Sequence, residues 1–295
     1  MKTIKDINNI LILGSGTLGL RIGLACALNN YKVVIYDIDE KAFESAKKIH
    51  QQLLKVLTKA DSYSLEQADS AIKNIRFTTD ANNAAKDADL LSESVTENLA
   101  IKQKVWEQFG GLCPSKTIFT TNTSSLLPSL FAKNTGRPQH FCALHFHDVF
   151  YANVVDIMPN PETEAWLTPL LYDFGKSIQQ TPVIVKKENP AYIFNVMLIA
   201  LIGAAGGLVT YDIGSIEDVD RSWMGNFKMT RGPFGIIDEI GLDTAWHVTS
   251  PKKDEKSQRF AALLKTYIDQ GKLGRKTGEG FYTYPNPRFL DADFI

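Results

Sequence analysis

The chain has 295 residues, more than one hydrophobic core usually serves, so two domains are expected. Its 44% hydrophobic and 22% charged residues match an ordinary globular protein and exclude fibrous and disordered classes, and a formal net charge of -1 offers no basic field for a nucleic-acid partner. The three cysteines, Cys26, Cys113 and Cys142, have neither metal-ligand spacing nor the even number of a disulfide framework, which points to a reducing compartment.

The first residues, MKTIKDINN, lack the apolar stretch of a secretory signal, and a cytoplasmic location is the expectation. Up to about residue 185, short β-branched runs alternate with longer amphipathic segments, which predicts a doubly wound, Rossmann-type parallel α/β sheet. The predicted strands are Ile10 to Leu13, Lys32 to Tyr36, Ile75 to Phe77, Asp89 to Glu93, Thr117 to Thr121, His140 to Phe146, Asn153 to Met158 and Pro182 to Val185. The longest predicted helix covers Glu40 to Lys59, and the polar piece Asp61 to Asp69 is expected to prolong it as an arm. Charge and proline at Lys186 to Pro190 break the pattern, dividing a domain at residues 1–187 from an all-helical one at 188–295. That second domain opens with an apolar, glycine-containing run, Ile193 to Val209, slightly short for a bilayer span and expected as a buried helix at a domain or subunit interface. Further helices are predicted at Ser215 to Trp223, Gly232 to Ile240, Asp243 to Val248 and Glu255 to Gln270, with an irregular tail from Gly271.

The hexapeptide Gly14-Ser15-Gly16-Thr17-Leu18-Gly19 follows a predicted strand and opens a helical segment, the context a dinucleotide-binding turn requires. Gly14 makes the tight turn, Gly16 admits a pyrophosphate, Gly19 brings helix against strand, and the helix dipole faces the phosphates. Asp37 ends the next strand, about 20 residues on, where a carboxylate accepts the ribose hydroxyls and repels a 2′-phosphate. NAD is therefore favoured over NADP, with FAD an alternative that shares the fingerprint.

Oxidising a secondary alcohol requires a base for the hydroxyl proton while hydride leaves. Of five histidines, His50, His140 and His247 sit in positions that read as surface or structural, leaving His145 and His147 at the end of a predicted strand, where open α/β sheets place ligands. No further ligand cluster supports a metal, so none is assigned, and His147 reads as a core or supporting residue. Asp156 stands in an apolar strand where an unpartnered carboxylate would be costly to bury, and His145 is its nearest plausible partner.

Taken with the stretches SESVTENLAIK, TNTSSL, ALHF, PAYIFNVML, GPFGIIDEIGLD and LGRKTGEGFY, the GSGTLG turn makes the chain resemble the L-3-hydroxyacyl-CoA dehydrogenase family over nearly its whole length. The resemblance implies a helical C-terminal domain that forms a homodimer, and NAD-linked interconversion of a small-molecule 3-hydroxyacyl and 3-oxoacyl pair, here short-chain and 3-hydroxybutyryl-CoA-like. It implies His145 as the acid/base, Asp156 as its partner, Ser124 and Asn195 as hydrogen-bonding groups for substrate, and Glu97, Lys102, Asn122 and Lys276 at the cofactor. The departures from the family pattern fall on the substrate side. His147-Asp148-Val149 replaces the typical Phe-Asn-Pro, Asp156 replaces glutamate after a shorter loop, and the polar CoA contacts of the helical arm fall on Leu53 and about Ala60. These features approach a branch typified by bacterial diketoreductase, so reduction of non-CoA 3-oxo acids or esters is the alternative function. A catalytically silent, crystallin-like NAD-binding protein is the second.

Overall fold

The computed structural model describes residues 3–295, which divide after Ile193 into two compact units. The first unit is built on one eight-stranded sheet of order β3-β2-β1-β4-β5-β6-β7-β8. Its strands are β1 (Asn9–Leu13), β2 (Lys32–Tyr36), β3 (Ile75–Thr78), β4 (Leu90–Glu93), β5 (Ile118–Thr121), β6 (Phe141–Phe146), β7 (Val154–Pro159) and β8 (Thr181–Ile184). Its helices are α1 (Thr17–Leu28), α2 (Ala42–Lys59), α3 (Leu65–Asn74), α4 (Ala81–Ala85), α5 (Leu99–Leu112) and α6 (Leu167–Ser177). Neighbouring strands are parallel except β6 and β7, so β7 and β8 run against the rest.

The strands are near-continuous apolar runs because helices cover both faces of the sheet. In β1, Ile10 and Ile12 enter one core with Val33, Ile35 and Leu144, whereas Leu11 and Leu13 enter another with Leu91, Trp106 and Phe119. The polar stretch after α2 does not prolong that helix as expected. Asp61 takes a φ of 52°, the chain turns, and α3 starts at its own capping box, in which Ser64 Oγ accepts from the Gln67 amide (3.1 Å) and the Gln67 side chain accepts from the Ser64 amide (2.9 Å). The expected arm is thus two helices joined by a turn, because the polar side chains of Ser64 and Gln67 satisfy the amides of a fresh helix start.

The second unit contains α7 (Phe194–Thr210), α8 (Ile216–Phe227), α9 (Pro233–Ile240), α10 (Leu242–Thr249) and α11 (Glu255–Ile268). A Cβ on Gly206 would lie 2.4 Å from the Phe260 ring, and one on Gly207 2.4 Å from Lys256 Cε, so the paired glycines let α11 press against α7. Elsewhere α7 is only partly covered within the chain: Ile202, Ala205, Gly206 and Gly207 are buried, while Val196, Met197 and Leu208 are exposed. No helix among the described residues is long and apolar enough to cross a membrane.

Two buried aspartates knit this unit together. Asp220 accepts from the amides of Phe234 (2.8 Å) and Gly235 (3.0 Å), capping α9 from a distant part of the chain. Asp238 accepts from the amides of Phe281 (2.8 Å) and Tyr282 (2.9 Å) and from the Tyr284 hydroxyl (3.1 Å), and the Tyr282 hydroxyl returns to Asp220 (2.9 Å). The stretches GPFGIIDEIGLD and GFYTY therefore hold one another in place. Burial raises both carboxyl groups above their ordinary range, against the opposing effect of these donors, with Asp238 pushed up to about 6.

Candidate active site

The glycine turn lies where β1 feeds α1. Gly14 has a φ of +99°, and a Cβ there would come 2.6 Å from the Ser94 carbonyl oxygen, while one on Gly19 would come 2.1 Å from the Gly14 carbonyl oxygen. Gly16 differs: nothing lies within 4 Å of its Cβ position, which leaves the backbone open to an approaching phosphate. Thr17 is the first residue of α1, and Leu18 leans on the main core. Beside the turn a cleft of about 530 Å³ opens at the carboxyl ends of β1, β2 and β4, lined by Gly14, Gly16, Asp37, Ser94 and Val95 among others. The Ser94 hydroxyl is buried there without a hydrogen-bond partner. Both the open glycine and the unpartnered hydroxyl fit a bound dinucleotide.

Asp37 also organises the turn. Its Oδ2 accepts from the amide and the hydroxyl of Ser15, each at 2.7 Å. Burial works to raise its pKa, but the Ser15 hydroxyl and neighbouring amides outweigh it and hold the carboxyl below the usual range. Ser15 therefore positions the acid that the sequence assigns to ribose.

Glu97 and Lys102 belong to a network with a member the sequence reading missed. Lys102 is 1% exposed, and its Nζ lies 2.6 Å from Glu93 Oε1 and 3.2 Å from Glu97 Oε2. Glu93 in turn accepts from the Thr121 hydroxyl (2.6 Å) and the Val95 amide (2.8 Å). Glu97 gathers the loop after β5, accepting from the amides of Ser124 (3.2 Å) and Ser125 (3.1 Å) and from the Ser125 hydroxyl (2.8 Å). Asn122 ties the same loop to β6, its Oδ1 accepting from the Phe146 amide at 2.7 Å. As placed, Lys102 orients Glu97 and lies too deep to present its ammonium at the surface. An acid ending an apolar strand, with a lysine one helix turn into α5, was the available signal for Glu93.

The antiparallel β6–β7 ladder brings the chemistry together. In its register His145 stands directly opposite Asp156, so both side chains share one face of the sheet. His145 Nδ1 lies 3.2 Å from Asp156 Oδ2, and His147 Nε2 lies 2.9 Å from the same oxygen. Burial tends to raise the Asp156 pKa, but its bonds to His145 and His147 prevail and hold it below the ordinary value, so it is a carboxylate at neutral pH. His145, His147 and Asp156 offer donor atoms within 4.8 Å of one another, a spacing a divalent cation could bridge, although each donor already has a partner inside the trio. Because β6 is parallel to β5, His145 lies toward the same edge of the sheet as the glycine turn.

Tyr192 was not anticipated. Its ring stacks on His145 with centroids 4.5 Å apart and planes 13° apart, and its hydroxyl donates to the Thr123 carbonyl at 2.7 Å. Ala191 and Tyr192 both occupy the left-handed region, at φ 65° and 59°, a conformation strained for a bulky residue and invisible to sequence pattern. The loop beyond His147 is pinned by an Arg21–Asp148 ion pair and by Val149, which is buried at a φ of 87°. Ser124 is exposed. In the helical unit, Asn195 lies in the first turn of α7 and is half-buried, while both carboxylate oxygens of Asp243 hold Lys276, at 2.6 and 2.7 Å. His50 is structural, its Nε2 lying 2.9 Å from the Leu20 carbonyl. Leu53 packs on the core and Ala60 ends α2, so neither offers a polar contact to a nucleotide.

Residues 9–189 match the 3-hydroxyacyl-CoA dehydrogenase NAD-binding domain and residues 192–284 match the C-terminal domain of the same family. A probable 3-hydroxyacyl-CoA dehydrogenase of Caenorhabditis elegans is 32% identical, covering 95% of this chain and 94% of its own. Among solved structures, a diketoreductase acting on dicarbonyl compounds superposes with a TM-score of 0.90 at 38% identity, covering 96% of this chain and 100% of that one. The (S)-3-hydroxybutyryl-CoA dehydrogenase of Ralstonia eutropha gives 0.83 at 28% identity, covering 95% and 100%. With the glycine turn, an aspartate at the end of β2 and two family domains in sequence, this chain belongs to the 3-hydroxyacyl-CoA dehydrogenase family, NAD-dependent oxidoreductases that act on CH–OH groups.

Proposed function

We propose that the chain interconverts a short-chain L-3-hydroxyacyl-CoA and its 3-oxoacyl-CoA, with His145 as general acid/base. The observation that carries this reading is the buried His145–Asp156 pair at the cofactor edge of the sheet. With Nδ1–H donating to the Asp156 carboxylate, the imidazole keeps Nε2 free to take the hydroxyl proton in oxidation or return it in reduction. Bound NAD supplies the hydride acceptor. Asp156 stabilises the imidazolium that forms, and the Glu97-ordered loop carries Ser124, which with Asn195 the family pattern assigns to substrate hydrogen bonds. On that pattern Asn122 and Lys276 serve the cofactor. Residues 147–153, where the chain leaves the pattern, are where substrate choice is written.

The diketoreductase likeness, together with the apolar Leu53 and Ala60, favours a second reading in which a free 3-oxo acid or ester replaces the thioester. Exposed Val196, Met197 and Leu208 on α7 support a homodimer through the helical unit, and buried free thiols at Cys26, Cys113 and Cys142 support a cytoplasmic setting. Comparing NADH oxidation with acetoacetyl-CoA and with ethyl acetoacetate tests both readings. A higher kcat/KM for the thioester supports the first, a higher value for the ester supports the second, and no turnover of either despite NADH binding leaves the silent one. His145→Ala is expected to lower kcat by roughly 10²- to 10⁴-fold while NADH affinity, measured by fluorescence titration, stays near wild type. Unchanged turnover in that variant would remove His145 from its role.

A further inference from the structure

Two imidazoles hold Asp156, and the closer one is not the proposed base. At 3.2 Å the His145 Nδ1 contact is longer than the ~2.7–2.9 Å usual for a charge-assisted N–H···O bond, whereas His147 Nε2 sits at 2.9 Å. The placement follows from the ladder. β6 ends at Phe146, but the His147 amide still donates to the Val154 carbonyl at 3.2 Å, so strand alternation persists for one more residue. His147 therefore lies on the same face as His145, diagonal to Asp156 across the strand pair, and the two rings meet edge to face at 4.9 Å. An aspartate has a short reach, and a carboxylate free to swivel would not keep one oxygen on His145.

We propose that His147 is a positioning residue for the His145–Asp156 pair, its Nε2–H anchoring the carboxylate oxygen that orients the base. Asp156, an ionised acceptor with its pKa held down by both imidazoles, takes both bonds on Oδ2. Fixing it holds His145 in the tautomer with Nδ1–H and leaves Nε2 toward the substrate. His147 transfers no proton and touches neither substrate nor cofactor in this role. The inference rests on His145 being the acid/base.

The test compares His147→Gln, His147→Asn and His147→Phe with His145→Ala, using NADH and whichever of the two 3-oxo substrates is turned over. Glutamine can place its amide N–H near the Nε2 position, asparagine reaches only to Nδ1, and phenylalanine keeps the ring without a donor. A hydrogen bond to a charged group is worth about 1.5–3 kcal/mol, so the Phe and Asn variants should lose about 10- to 100-fold in kcat with KM within about two-fold, and Gln should recover most of that loss. If Phe fails to fold by circular dichroism, the Asn–Gln pair makes the same comparison. Wild-type kcat in the Asn variant, or equal losses in Asn and Gln, overturns the positioning role. Full activity in His145→Ala instead overturns the base assignment on which it rests.

Discussion

Each unit buries aspartates, and the two units treat them in opposite ways. In the sheet unit half-buried Asp37 and buried Asp156 are held below the ordinary carboxylate range by donors that include a serine hydroxyl and two imidazoles. In the helical unit Asp220 and Asp238 accept hydrogen bonds from backbone amides and tyrosine hydroxyls, and burial lifts both. Neutral donors suffice to keep half-buried Asp37 charged and two imidazoles keep buried Asp156 charged, whereas at the deeply buried Asp220 and Asp238 neutral donors do not outweigh the cost of burial.

Neutralising each acid sharpens the contrast. Asp156→Asn should show the largest effect, lowering kcat by roughly 10²- to 10⁴-fold, the range for a lost acid–base function. Its folded pKa is depressed, so wild type draws stability from it above about pH 4 and loses that as pH falls. The Asn variant should lack this part of the acid decline in urea denaturation, and an Asn variant that keeps wild-type kcat would erase the functional side of the contrast. Lys102→Met comes next. It strands Glu93 and Glu97 without their cation, and breaking a buried pair costs about 3–5 kcal/mol, which a thermal or urea melt would show. A melt within about 0.5 kcal/mol of wild type would mean the network is not energetically coupled.

Asp238→Asn is the smallest and has the opposite sign. A carboxyl raised to about 6 gives stability that is present at acid pH and fades as pH rises through 6. The stability of wild type relative to the Asn variant should therefore fall by up to about 1.4 kcal/mol per pH unit between roughly pH 4 and 6. A difference that is flat, or that grows with pH, would place Asp238 with the charged acids of the sheet unit.

Much of the sheet unit was legible in the chain. Every predicted strand formed within about a residue of its expected ends, because β-branched runs covered on both faces carry a strong local signal. The helical arm failed because Ser64 and Gln67, read as polar surface, make a capping box whose effect depends on a turn at Asp61. α7, expected as a buried helix at a domain or subunit interface, is half exposed within the single chain, since composition gives the apolarity of a helix without saying which neighbour covers it. Glu93 and Tyr192 escaped notice for a related reason: a strand-end acid and an aromatic in an apolar segment look like ordinary surface and core until their partners are known.

The amino-acid sequence by itself determined the cofactor turn and the kinds of side chain available for alcohol oxidation. Strand, glycines and Asp37 all fall between residues 10 and 37, and the roles expected of them follow from local backbone geometry. Only the tertiary structure decided how the chemistry is assembled. The antiparallel register pairs His145 with Asp156 and carries His147 onto the same face, where a slip of one residue would turn the acid to the opposite core. It also forces Tyr192 into left-handed backbone against the His145 ring and buries Lys102 between two glutamates. Such contacts depend on the closure of loops and the pairing of strands, which pack residues that no local pattern brings together.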